Sequence, residues 1–174
     1  MNQYHNICNI FACTTVLCVS YLYPTNLTAM HIGSLPILLH CIIDLSNNTS
    51  DMIVHHIAAI ITICILGITY EGQDDLAKAL VARTLINTEI STISLNLYQM
   101  GYNNSLIKIL FIMTFFYYRI VQLTRILFFY PETYYWSTAI CGTNKGCFEL
   151  WVRSTGAIVC LNFYWFRKII KKFK

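Results

Sequence analysis

Two histidines stand side by side at positions 55 and 56 in an otherwise apolar run, and one glutamate, Glu89, sits within another. Other ionisable residues share this kind of setting: His40, Asp44, Arg83, Arg119, Arg125 and Arg153. An ionisable side chain at membrane depth is costly, which makes each of them a functional candidate by default. Two kinds of chemistry follow from residue type and spacing. Glu89 and an arginine would form an ion pair, with Arg119 the first partner by depth and Arg83 the second; such a pair either holds helices in register or perturbs a reacting group. His40 and Asp44, at i and i+4, share one side of a helix, and with His55 and His56 they offer metal-ligating atoms. Adjacent histidines diverge on a helix, however, and five histidines in all are few for an iron-dependent membrane hydroxylase, so no metal is expected.

The elements that must hold these residues are long apolar segments. Of 174 residues, 56% are hydrophobic and only 11% charged, against roughly 25% charged in a soluble domain. A spanning helix needs about 17–25 mostly apolar residues, and residues 7–23, 29–46, 53–70, 76–98, 105–130 and 150–166 meet or approach that length. Polar breaks separate them at 24–26, 47–51, 71–75, 101–104 and, as a longer loop, 131–149. Only helices and closed barrels satisfy the backbone in hydrocarbon. Barrel strands would alternate over about ten residues, whereas these runs are continuous. The expected fold is all-α: a polytopic membrane bundle of about six transmembrane helices around a central cavity. Residues 1–28 form an N-terminal helix and loop, and residues 29–174 the main transmembrane domain with its basic tail. The first segment could also be read as a signal peptide, but residues 1–6 lack the basic charge that such a leader carries.

Charge sets an orientation. Arg167, Lys168, Lys171, Lys172 and Lys174 crowd the C-terminus, and short basic flanks stay cytoplasmic. An even helix count puts the N-terminus on the same side and the links 71–75 and 131–149 opposite. Cys141 and Cys147 in the latter are either a disulfide of an oxidising lumen or two free thiols. A net charge of +4 calls for no nucleic-acid partner; membrane lipid is the expected partner, and a homo-oligomer is compatible with the chain.

Helix geometry then brings the candidates together. Segments three and four form a hairpin, and at 1.5 Å per residue His56 and Glu89 each lie about 20 Å from its turn. His55, Ala59, Thr62, Leu66 and Thr69 fall on one stripe, and small and polar residues on one stripe suit a face turned to other helices or a cavity. His56 points about 100° away. Segment four is the most polar: it contains Asn87, Thr88, Glu89, Ser91, Thr92 and Asn96, with Thr88, Thr92 and Asn96 on one face. The cavity lining is therefore expected from Thr62, Asn87, Thr88, Thr92, Asn96, Arg119 and Asn162, around His55, His56 and Glu89.

These residues carry a resemblance. Asp51-Met52-Ile53-Val54-His55-His56 is similar to the paired-histidine signature of the TLC-domain family, which includes the ceramide synthases, a translocating-chain-associated membrane protein and a neuronal ceroid lipofuscinosis membrane protein. Glu89-Ile90-Ser91-Thr92, with Asn96 following, resembles the Glu-x-Ser-Thr-x-x-x-Asn stretch of family members that are not ceramide synthases. Phe115-Phe116-Tyr117-Tyr118-Arg119-Ile120 and Asn162-Phe163-Tyr164-Trp165-Phe166 with Lys168 resemble later family elements. The ceramide synthases' second signature, His-Asp-x-x-Asp, aligns with Thr88, Glu89 and Thr92, so its first histidine and last aspartate are missing.

The resemblance implies a multi-pass protein of an endoplasmic-reticulum-like membrane (a host membrane for a viral source) that binds or regulates acyl chains, sphingolipid or phospholipid without a complete catalytic signature and without a cofactor. It equally implies the alternative of an N-acyltransferase with acyl-CoA as substrate. There, His55 or His56 would serve as nucleophile or general base, Glu89 would orient the imidazole, and Arg119 or an inner lysine would meet the coenzyme phosphates.

Overall fold

The computed structural model describes residues 3–45, 50–69, 71–102, 104–128 and 132–173, with side chains at 126–128 and 132–136 left aside. The expected breaks at Asn47-Asn48-Thr49 and Asn103, and Tyr70 at the hairpin end, lie outside the described residues. All regular structure among the described residues is helical: α1 (Gln3–Leu22), α2 (Leu27–Asp44), α3 (Ser50–Gly67), α4 (Asp75–Asn87), α5 (Glu89–Gln99), α6 (Ser105–Thr114), a π-helical stretch Phe115–Gln122, α7 (Leu123–Phe128), α8 (Glu132–Cys141) and α9 (Lys145–Phe173).

The polar breaks act as helix starts. Asn26, Asp74 and Asn104 each accept a hydrogen bond from the backbone N–H three residues on, and Asn144 does the same for Cys147 at 2.9 Å. These short side chains satisfy N–H groups that the first helical turn leaves unpaired.

α1, α2, α3 and the run Ser105–Arg125 are long and apolar enough to cross a membrane. α1 packs on α2 and α5, α2 on α3, α3 on α9, α9 on the π stretch and α7, and α6 on α5. This closes a ring. Its outer face is apolar, with Phe11, Leu35, Ile43, Ile57, Leu106 and Met113 exposed. Its interior holds buried polar groups, among them Asp44, His56, Thr62, Ser91, Asn96, Arg119 and Asn162. Polar inside and apolar outside is the distribution a hydrocarbon solvent selects. The chain is a helical membrane bundle.

Two expectations are corrected. The fourth segment is two helices, broken at Thr88. The Thr88 N–H and hydroxyl both donate to the Leu85 carbonyl, and the Ser91 hydroxyl donates to the Thr88 carbonyl at 2.8 Å. Such i→i+3 and side-chain bonds tighten and bend a helix. Within the expected loop at 131–149, the described residues form α8 and the first turn of α9, with Gly142 between them. Gly142 has φ +54°, and a Cβ there would run into the Glu71 carbonyl.

The bundle's two ends differ. At the α8 end, Val16, Met30, Ile65, Val81, Ile140 and Trp151 belong to one packed core. The 71–75 link is stitched to α8 by Asp74 N–H donating to the Ala139 carbonyl at 2.9 Å, and a disulfide joins Cys141 to Cys147. The opposite end, where α1 begins and α9 ends, is hollow.

Gly142→Ala combines a left-handed backbone, which costs an alanine roughly 1–2 kcal/mol, with a backbone collision, so it should lower the melting temperature in detergent. Gly156→Ala, where an added Cβ meets nothing within 4 Å in mid-α9, should raise it slightly through the roughly 0.4–1 kcal/mol gained by restricting the unfolded chain. Equal shifts for the two would refute this reading of the α8–α9 turn.

Candidate functional site

The hollow end holds a cavity of about 530 Å³ whose wall is drawn from every segment of the ring. Most of its lining surface is apolar, yet all five histidines of the chain reach it, together with Asp44, Glu89 and Arg119. The break at Thr88 divides the roles of the two helices it separates. α4 packs against α8 and supplies Ala79, Val81 and Ala82 to the core, whereas α5 stands in the ring between α1 and α6 with Thr88, Thr92 and Asn96 on the cavity.

One wall is organised by Arg119. Its Nε donates to Ser91 Oγ and its Nη2 to Thr92 Oγ1, both at 2.7 Å, and Nη2 lies 3.7 Å from Glu89 Oε2. Glu89 also accepts a hydrogen bond from Cys13 Sγ at 3.4 Å. The π stretch puts Arg119 in the middle of a wider helical turn, whose hydrogen bonds run i→i+5. The Arg119 carbonyl accepts from Asn162 Nδ2 of α9 at 3.4 Å. The guanidinium also lies 5.6 Å from the Phe115 ring centroid. A planar donor fork suits such a site better than a lysine would.

The other wall carries the imidazoles. His55 and His56 have ring centroids 5.7 Å apart and turn to different neighbours: His55 to Trp165 at 5.0 Å, His56 to His40 at 6.5 Å. Their Nδ1 atoms are buried without a hydrogen-bond partner. His40 continues to His5 of α1 at 4.9 Å, and Asp44 lies beside both.

The mouth of the cavity is basic. Trp165, Lys168, Ile169 and Lys172 line it at i, i+3, i+4 and i+7 of α9. Trp165 Nε1 donates to Asp51 Oδ2 at 2.8 Å, and Lys168 Nζ sits 3.6 Å from the same oxygen. The Lys172 ammonium lies 5.2 Å from the Tyr98 ring centroid.

The expected residues mostly converge. His55, His56, Thr62, Thr88, Glu89, Thr92, Asn96 and Arg119 share the cavity. The stripe His55, Ala59, Thr62 and Leu66 lines it as the helical period requires. The Glu89–Arg119 pairing is present, while Arg83 lies against the Tyr21 ring, 5.1 Å from its centroid. Asn87 and Asn162 are not on the cavity wall; Asn162 is fully buried behind it, supporting the Arg119 backbone. Glu89 hydrogen-bonds to neither imidazole of the pair; its contacts are Arg119 and Cys13. Sequence reasoning overlooked His5, His31 and Cys13. Only the Trp165–Lys172 stripe had a legible signal, its helical spacing beside a basic tail.

Among known proteins, the family model of the TLC domain matches residues 16–171. No curated protein and no solved structure matches the chain.

Removing one member of a buried ion pair costs about 3–5 kcal/mol, whereas replacing both with neutral groups costs far less. Arg119→Met should therefore lower thermal stability strongly, and adding Glu89→Gln should recover part of the loss. A double variant no more stable than Arg119→Met would contradict the pairing.

Proposed function

The chain belongs to the TLC-domain family and is a membrane protein of that type, and we propose that it binds the acyl portion of a membrane lipid in its cavity and handles or senses that lipid without turning it over. The observation carrying this reading is the hollow half-bundle: about 530 Å³ of largely apolar space, walled by the ring and ending at Lys168 and Lys172. That volume falls within the roughly 300–1,000 Å³ of small-molecule pockets, which combine apolar walls with a few polar groups that fix orientation. An acyl chain would occupy the space near Phe111, Ile63 and Leu66, and a polar or anionic headgroup would meet the basic mouth. The partial second signature, with threonines at positions 88 and 92, favours binding over turnover.

The orientation proposed with this function puts both termini and the basic mouth in the cytoplasm of an endoplasmic-reticulum-like membrane, and the Cys141–Cys147 end in the oxidising lumen. Basic residues and disulfide at opposite ends of one bundle support that assignment.

A second reading is kept because both paired histidines present buried Nδ1 atoms without partners to this region. In an acyl-CoA-dependent N-acyltransferase, an imidazole would take the proton of an attacking long-chain amine. The amide C–N bond would form as the thioester C–S bond breaks, and the proton would leave with the coenzyme thiol.

Protein purified into nanodiscs and analysed by native mass spectrometry should retain lipid, and Ala59→Phe, which fills the cavity from α3, should lose most of it while remaining folded. Retention unchanged in Ala59→Phe would contradict the cavity as the binding place. Turnover of labelled acyl-CoA with a long-chain base, abolished in His55→Ala or His56→Ala, would replace the binding reading with the enzymatic one.

A further inference from the structure

We propose that His5, His40 and Asp44 form a binding site for a divalent transition metal of the zinc class, with an open coordination position toward the cavity. The three come from two helices. His40 and Asp44 share a face of α2 at i and i+4, and the packing of α1 on α2 brings His5 to them. His5 Nδ1 lies 3.5 Å from Asp44 Oδ1, and His40 Nε2 lies 3.5 Å from Asp44 Oδ2. One ligating atom from each residue can be chosen so that all lie within 4.8 Å of one another.

An N–H group donating to a carboxylate settles at about 2.7–2.9 Å. Both imidazole nitrogens instead stand off the carboxylate by several tenths of an ångström more. Two ligands each about 2.0–2.2 Å from a tetrahedral zinc are separated by roughly 3.3–3.6 Å; the imidazole nitrogens stand 3.5 Å from the two different oxygens of the Asp44 carboxylate, and with all three ligating atoms within 4.8 Å, small side-chain rotations would close the set around one ion. Two imidazoles and one carboxylate are also the donor set of zinc sites that keep one position open. Asp44 is buried, with 7% exposure, and the histidines are half-buried, so the ligands are partly withdrawn from water.

The neighbourhood suits this assignment. His56, 6.5 Å from His40 between ring centroids, holds a buried Nδ1 without a partner, available to a metal-bound water or a fourth ligand. All three ligands line the cavity, so the open position would face its contents. His5, not the diverging pair His55 and His56, completes the ligand set, contrary to the expectation of no metal. The metal site does not depend on lipid binding, and the two can fail separately.

The test uses the full chain in nanodiscs, stripped with a chelator and reloaded with zinc, or with cobalt(II) as the coloured probe. The expected result is about one equivalent of zinc and intense visible cobalt absorption, as low-coordinate nitrogen/oxygen ligation gives. His5→Ala, His40→Ala and the near-isosteric Asp44→Asn should each weaken binding by more than the roughly 10–100-fold that outer-shell changes cost. His55→Ala should leave binding intact, and circular dichroism and size exclusion should show every scored variant folded. Uptake below about a tenth of an equivalent in the wild type, or uptake indifferent to the three ligand substitutions, would overturn the assignment.

Discussion

The structure turns on one constraint: a guanidinium placed deep in an apolar bundle must find its partners inside the protein. On an insertion scale an arginine at mid-membrane costs roughly 2.5–3.5 kcal/mol, so lipid is a poor neighbour for Arg119. Its answer is a clamp of Ser91, Thr92 and Glu89 on α5. That clamp joins two walls of the ring and fixes which face of α5 looks inward. The remaining polar groups of α5 follow at helical spacing, and Asn162 supports the π-helical backbone from α9. Glu89 in turn reaches α1 through Cys13, so one side-chain network touches α1, α5 and the π stretch.

Two departures from regular helix make room for this arrangement. The break at Thr88 separates a packing helix, α4, from a wall helix, α5. The π stretch places Arg119 on the inner side of a widened turn. π turns recur at functional sites because the inserted residue re-aims its neighbours at the expense of regular hydrogen bonding. The result is a bundle packed at the disulfide end and open at the end where α1 begins and α9 ends. The proposed binding role would draw on that asymmetry: the packed half would hold the walls in place, and the hollow half keeps space that packing would otherwise fill.

Much of this was legible in the residues. Hydropathy blocks marked the membrane segments, and the 3.6-residue period placed His55, Ala59, Thr62 and Leu66 on the cavity side. Depth along the helices paired Glu89 with Arg119. What escaped was long-range or locally ambiguous. Nothing near His5 in sequence says that it will meet Asp44 across an interhelical contact. The residues Phe115–Gln122 suit an α-helix as well as a π-helix, so tertiary contacts decide between them. α8 mixes aromatic and polar residues without amphipathic order, and it read as loop although Gly142 marks its end. Glu89 is expected beside an imidazole from the hairpin geometry, but it pairs with Arg119 and accepts a hydrogen bond from Cys13.

The central claim is that the polar interior lines a persistent, lipid-sized space. An experimental density map of the protein in lipid nanodiscs addresses it directly. The account predicts elongated density between the paired imidazoles and Phe111, with its polar end near Lys168. A collapsed interior, in which side chains from α3, α5 and α9 meet and leave no continuous volume, would contradict it.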